Sequence, residues 1–163
     1  MKADHPPRVG KAVRHLECGS DLRSRVLLVD DDADMRRVNL EALSGSGYHV
    51  DAVEDGAIAW ETLQKTNYDL LVTDNNMPKV TGIALVKKLR AARMALPVIM
   101  ATGNPPEEFH HPSLQPAVVL LKPYTIPELL GTVENVLRAT AMAPNPIPSP
   151  DSQNQSPANG WLL

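Results

Sequence analysis

Four short apolar runs in this sequence end in residues able to do chemistry. Val26-Leu27-Leu28-Val29 runs into Asp30-Asp31-Asp32, and Leu70-Leu71-Val72-Thr73 into Asp74-Asn75-Asn76-Met77-Pro78. Val98-Ile99-Met100-Ala101 runs into Thr102-Gly103, and Val118-Val119-Leu120-Leu121 into Lys122-Pro123. Continuous apolar runs of this length read as strands buried on both faces of a parallel sheet. Open α/β sheets bind ligands at the C-terminal ends of their strands. If these four ends share one edge, the carboxylates of Asp30, Asp31 and Asp74 meet a hydroxyl and an ammonium. Three clustered carboxylates repel, and one would normally stay protonated. A hard divalent cation removes that conflict, and Mg²⁺ suits a site with few carboxylates and several waters. Lys122 adds positive charge and Thr102 a hydrogen-bond donor, while Gly103 leaves room for an incoming group. The set lacks a general base for a small substrate. It suits a carboxylate nucleophile attacking phosphorus, with metal and lysine neutralising the phosphoryl oxygens.

Each residue taken singly has a plainer reading. Asp30 could cap a helix, Asp31 and Asp32 could be turn carboxylates, Thr102 a turn residue and Lys122 a surface cation. Coincidence is a poor account of all four strand ends together, in this order.

The segments between the runs supply the frame that must position these groups. Asp34 is placed to cap a helix with Met35, Val38, Ala42 and Leu43 at helical spacing, stopped by Ser44-Gly45-Ser46-Gly47. Tyr48 to Glu54 alternates apolar and polar residues, as a strand near an edge does. Asp55-Gly56 opens a second helix to about Lys65, with Ile58, Ala59 and Leu63 inward and Trp60 at its margin. Gly82 leads into a third, Ile83 to about Arg93, with Ile83, Leu85, Val86 and Leu89 inward and Lys87, Lys88 and Arg90 outward. Thr125 and Glu128 form a capping box, Pro127 sits in the first turn, and Leu129, Leu130, Val133, Val136 and Leu137 make the apolar stripe of the last helix. Residues 103–117 contain Pro105, Pro106, Pro112 and Pro116. Proline removes backbone donors and clashes inside helices, so at most one or two short turns fit there, from Pro106 to about His111. Alternating strands and helices predict a doubly wound parallel sheet.

The 163 residues accommodate one domain with tails, and 43% hydrophobic content supports a core. Aromatics are only 4%, so aliphatic side chains must build it. A formal net charge of −3 gives no argument for nucleic-acid binding. The single cysteine, Cys18, forms no intramolecular disulfide and fits a reducing compartment. No apolar run approaches the roughly 18–20 residues of a membrane span. The first residues lack the apolar core of a signal peptide, so a cytoplasmic location is expected. Residues 1–23 read as a disordered tail and 141–163 as a disordered proline-rich one. Trp161-Leu162-Leu163 could dock on a partner, but a solvated tip is the plainer reading.

Val29-Asp30-Asp31, Asp74-Asn75-Asn76-Met77-Pro78 with Gly82, Ala101-Thr102-Gly103 and Lys122-Pro123-Tyr124 resemble the receiver (phosphoacceptor) domain of bacterial two-component response regulators. The resemblance covers about residues 24–139 and includes every signature block in order. It implies a flavodoxin-like α/β fold for residues 24–140, a five-stranded parallel sheet of order 2-1-3-4-5. It implies that Asp74 accepts a phosphoryl group from a sensor histidine kinase or a histidine phosphotransfer protein. Asp31 and Asp74 would ligate Mg²⁺ through carboxylates, Asn76 through its backbone carbonyl and Asp30 through water. Lys122 would pair with the phosphoryl oxygens, Thr102 would hydrogen-bond to them beside Gly103, and Pro123 would follow a cis peptide. Asn76 and Asn104 stand where the family tunes hydrolysis.

Three departures from that pattern stand out. Val119 replaces the aromatic residue that the family commonly carries three positions before the lysine. The proline-rich 103–117 segment replaces the fourth helix, part of the family's usual output and dimer face. Thr81 stands where an aspartate often precedes the glycine. Residues 141–163 are too short and polar for a DNA-binding helix-turn-helix. The expectation is a stand-alone receiver that signals to an unknown downstream protein by surface contacts, without touching nucleic acid or membrane and without turnover on a metabolite. An alternative is a receiver-like binding module that works without phosphorylation. A third reading, an aspartyl-phosphate phosphohydrolase, calls for a second acid two residues past the nucleophile, where this chain has Asn76, and for a substrate-capping insertion that it lacks.

Overall fold

The computed structural model describes residues 23–115 and 117–142. The expected tails, Cys18, Pro116 and the Trp161-Leu162-Leu163 tip therefore lie outside the described residues, apart from the few tail positions that border them. Five strands, β1 (Arg25–Val29), β2 (His49–Val53), β3 (Leu70–Asp74), β4 (Val98–Thr102) and β5 (Ala117–Leu121), form one parallel sheet of order β2-β1-β3-β4-β5. Helices α1 (Ala33–Gly45), α2 (Gly56–Lys65), α3 (Gly82–Ala91) and α4 (Ile126–Met142) cover its faces. This is the flavodoxin-like order that the resemblance implied. No helix of the described residues is long and apolar enough to cross a membrane.

Strand period two sends alternate residues to opposite faces, and two cores result. Leu27, Val29, Leu71 and Met100 pack with Leu63 of α2 and Leu89 of α3. Val26, Leu28, Val72 and Ile99 pack with Leu43 of α1 and Leu129 of α4. The sheet order reverses direction between β1 and β3, which is where such folds open a crevice.

Between β4 and β5 the chain makes two 3-10 turns, Glu107–His110 and Pro112–Leu114. The prolines hold it to short turns, as expected, but the second turn lies past His111, where the expected turns ended. Phe109, 1% exposed, and Leu114 nonetheless fill the core of that face. The turns are tied to α3 by the Lys87–Glu108 ion pair (2.7 Å) and by a bond from Arg90 Nε to the Leu114 carbonyl (3.2 Å).

Local expectations needed five corrections. Asp32, not Asp34, caps α1, because its Oδ1 accepts from the amides of Asp34 (2.9 Å) and Met35 (3.1 Å). Val38 is exposed on α1, because Asn39 occupies the inward position instead. Ile58 is exposed on α2, whose buried side carries Ala59 and Leu63. Arg90 does not face solvent freely; its Nη1 also donates to the Met94 carbonyl (2.7 Å). β5 is not buried on both faces. It is an edge strand, so Val118 and Leu121 remain exposed and only Leu120 is buried.

Candidate functional site

Register places the chemistry-bearing residues on one edge. Val29 pairs with Val53 and Thr73, Asp74 with Ala101, and Thr102 with Leu121. Asp30, Asp74, Thr102 and Lys122 therefore end or directly follow four adjacent strands. Oxygens of Asp30, Asp31 and Asp74 all lie within 4.8 Å of one another. Lys122 Nζ donates to Asp74 Oδ2 at 2.6 Å and stands 3.7 Å from Asp30 Oδ2. Asp30 is buried and Asp31 exposed, so the cluster has a dry floor and a wet rim.

Electrostatics follows from that arrangement. Burial pushes the Asp30 carboxyl above its ordinary range; Lys122 and the Asp32 amide pull it back, and the charges of Asp74 and Asp31 push it further up. Burial works against the Lys122 ammonium, but its hydrogen bond to Asp74 and the charges of Asp30 and Asp74 outweigh that cost and raise its pKa. Three carboxylates against one ammonium leave excess negative charge, which favours binding of a cation.

The backbone around Asp74 is held by close contacts. The amide of Asn76 donates to Asp74 Oδ1 (3.1 Å), which sets Asn76 beside the carboxylate. Asn75 ties this turn to α3: its carbonyl accepts from the Gly82 amide (3.2 Å) and its Oδ1 from the Ile83 amide (3.1 Å). A β-carbon at Gly82 would overlap the Asp74 carbonyl oxygen. Glycine is the side chain that allows α3 to start this close. At Gly103 a β-carbon would meet nothing within 4 Å, so that side of the cleft is open.

Thr102 is fully buried, and its hydroxyl faces its own turn, 3.3 Å from the Asn104 amide and 3.4 Å from the Asn104 carbonyl. Val119 is partly buried against the core on the α2/α3 side. The Lys122–Pro123 peptide is cis.

Sequence reasoning missed several supports. Arg36 Nη1 donates to the Asp30 carbonyl (2.6 Å), and Asn39 Nδ2 to the Tyr124 hydroxyl (2.9 Å). Lys79, at a positive φ of 65°, pairs with the buried Asp55 carboxylate (2.5 Å) and holds that carboxyl below its usual range. One signal was available: Asn39 sits four positions before Leu43, on the inward row of α1, where a polar residue is out of pattern.

Comparisons with known proteins agree with this geometry. The family model described as the response regulator receiver domain matches residues 26–134. The response regulator receiver protein CpdR of Brucella abortus (strain 2308) is 38% identical over 117 residues, 71% of this chain and 98% of that protein. Response regulator MprA of Mycobacterium sp. (strain KMS) is 31% identical over 140 residues, 85% of this chain; the chain spans only 57% of that protein's length. Among solved structures, chemotaxis protein CheY4 of Vibrio cholerae matches with a TM-score of 0.64 and 30% identity, over 70% of this chain and 98% of that one.

Proposed function

The chain belongs to the response regulator receiver domain family, and from that premise we propose that Asp74 accepts a phosphoryl group in a Mg²⁺-dependent reaction, the donor being the phosphohistidine of a sensor histidine kinase or histidine phosphotransfer protein. The observation that carries this reading is the Lys122 ammonium 2.6 Å from Asp74 Oδ2, inside a cluster of three carboxylates.

The residues present fit the ion. All the donors are hard oxygens, one carboxylate is exposed to admit waters, and the cluster carries uncompensated negative charge. Asp31 and Asp74 would hold it by carboxylates, Asn76 by its backbone carbonyl, and Asp30 through water. Bound there, Mg²⁺ would supply Lewis-acid neutralisation of the phosphoryl oxygens. The solved receiver domain of sensor histidine kinase PA1611 from Pseudomonas aeruginosa PAO1, described as having a magnesium ion coordinated in its active-site cleft, supports this assignment at 26% identity and a TM-score of 0.61, over 71% of this chain and 98% of that one.

In the transfer an oxygen of Asp74 forms a bond to phosphorus as the phosphorus–nitrogen bond of the donor imidazole breaks. The electron pair stays on the ring nitrogen, which takes up a proton from solvent. Lys122 moves its hydrogen bond from the carboxylate to the phosphoryl oxygens, and the amide of Asn76 keeps Asp74 oriented. Thr102 turns its hydroxyl from Asn104 toward the new group, and Gly103 leaves space for it. The product signals by protein–protein contacts, as expected of a phosphoryl-accepting module rather than an enzyme with turnover on a metabolite.

A second reading, a binding module that works without phosphorylation, is favoured by Val119 on β5 and by the two 3-10 turns that stand in place of a fourth long helix. Intact-mass measurement after incubation with acetyl phosphate and Mg²⁺ separates the two. We expect a gain of one phosphoryl mass that disappears in Asp74→Ala. No gain, or a gain that survives that substitution, overturns the acceptor assignment.

A further inference from the structure

Helix α1 turns two polar side chains toward the site from positions three residues apart, which share one helix face. Arg36 holds the Asp30 carbonyl at 2.6 Å. Asn39, 1% exposed, donates from Nδ2 to the Tyr124 hydroxyl at 2.9 Å, across 85 positions of sequence. One helix thus ties down both the turn after β1 and the turn after β5.

Asn39 is an expensive residue for that place. Its Oδ1 is buried with no hydrogen-bond partner, the one such side-chain atom among the described residues. Its inward neighbours are Leu40 and Leu43, packed against or within the α1/α4 core. A leucine at 39 would fill comparable space and strand no acceptor. Burial therefore does not account for the amide. What the amide adds is one directional bond to Tyr124.

Tyr124 lies two residues past Lys122. The Lys122 amide is bonded to the Thr102 carbonyl (3.0 Å) on one side of this turn, and Thr125 and Glu128 cap α4 on the other. A lysine ammonium rides on a flexible four-carbon stem, so its location depends on how firmly its backbone is held. We infer that Asn39 is a positioning residue for phosphoryl transfer: through Tyr124 it anchors the turn that carries Lys122, so that Nζ sits on Asp74. The inference rests on the acceptor reading of Asp74. It assigns the buried amide to the reaction rather than to stability, and it gives Tyr124 a role through its hydroxyl rather than its ring.

The test compares wild type, Asn39→Leu, Tyr124→Phe and the double variant. Each is followed by thermal unfolding and by the rate of labelling with acetyl phosphate at saturating Mg²⁺. The double variant removes both polar groups together, so it is expected to melt at or above the wild-type temperature. It is expected to label roughly tenfold to a hundredfold more slowly, as misplaced reacting groups do. Each single variant should be about as slow as the double, because the two residues act through one bond. The half-saturating Mg²⁺ concentration should not change, since the three carboxylates are untouched. Labelling of the double variant at the wild-type rate overturns the inference, as does a slowing of the double variant matched by a melting temperature below the wild type's. A wild-type protein that takes no label overturns the acceptor reading itself. Wild-type labelling with unslowed variants overturns only the role of Asn39.

Discussion

The Lys122 ammonium lies 2.6 Å from Asp74 Oδ2 but 3.7 Å from Asp30 Oδ2, so the lysine bonds to the proposed acceptor and only faces its buried neighbour. The preference has consequences for reactivity. A cation bonded to the attacking carboxylate orients it in the resting state and is in place for the charge that arrives with phosphorus. Lys122→Ala should therefore slow labelling of Asp74 by roughly a hundredfold, the usual effect of removing one preorganised charge-stabilising donor. Lys122→Arg should recover little, because a planar guanidinium does not reproduce a compact point charge. Time-resolved intact mass reads both rates. Labelling of Lys122→Ala at the wild-type rate would remove Lys122 from the chemistry.

Asp30 provides a pH test. Burial raises its carboxyl pKa in the folded protein, helped by the charges of Asp74 and Asp31. A group whose folded pKa lies above its unfolded value contributes stability below the unfolded pKa, near 3.8, and loses it as pH rises through the folded pKa. At neutral pH an ionised Asp30 is thus a cost. Asp30→Asn keeps the acceptor for the Asp32 amide (2.9 Å) and removes the charge. It should stabilise the fold at pH 7 and do so much less near pH 3.5. Mg²⁺ should raise the melting temperature of the wild type more than that of the variant, by mass action on the folded state. Urea melts at the two pH values, with and without Mg²⁺, decide the matter. A variant less stable than wild type at pH 7 contradicts the argument.

Gly82 links the start of α3 to the acceptor. A methyl group there would overlap the Asp74 carbonyl and press on the Asn75 Cα at 3.0 Å. Backbone cannot swing aside as a flexible side chain can. Gly82→Ala should cost roughly 1–3 kcal/mol, the range for overpacking, despite the better helix propensity of alanine. It should also slow labelling, because the strain falls on the peptide that carries the acceptor. A stabilised Gly82→Ala protein with normal labelling would show that the approach is looser than this.

Phe109 anchors the 3-10 turns between β4 and β5. It is the only phenylalanine in the chain and is almost wholly buried. Phe109→Ala should destabilise by about 3–5 kcal/mol through cavity formation, a large share of the roughly 5–15 kcal/mol that holds an ordinary domain together. Phe109→Leu should cost much less. Chemical denaturation measures both. A loss below about 1 kcal/mol for the alanine variant would mean that the turns pack without the ring.

The sequence by itself determined the strands, their ends and the proposed acceptor set. Those features depend on neighbours a few residues away: apolar runs set strands, the capping box set the start of α4, and prolines limited the segment after β4 to short turns. The meeting of Asp30, Asp31, Asp74 and Lys122 followed from one further rule, that parallel strands joined by helices present their C-terminal ends on one edge. Only the tertiary structure decided which carboxylate the lysine bonds, why Asn39 rather than Val38 turns inward, where Arg90 donates, and how much of β5 is exposed. Each of those depends on groups far off in the chain. Lys122 and Asp74 are 48 positions apart, and Asn39 and Tyr124 are 85 apart. Local pattern says that a face is apolar enough to bury. Which side chains it buries, and which polar atoms are left to find partners there, is decided by the element that arrives from elsewhere to cover it.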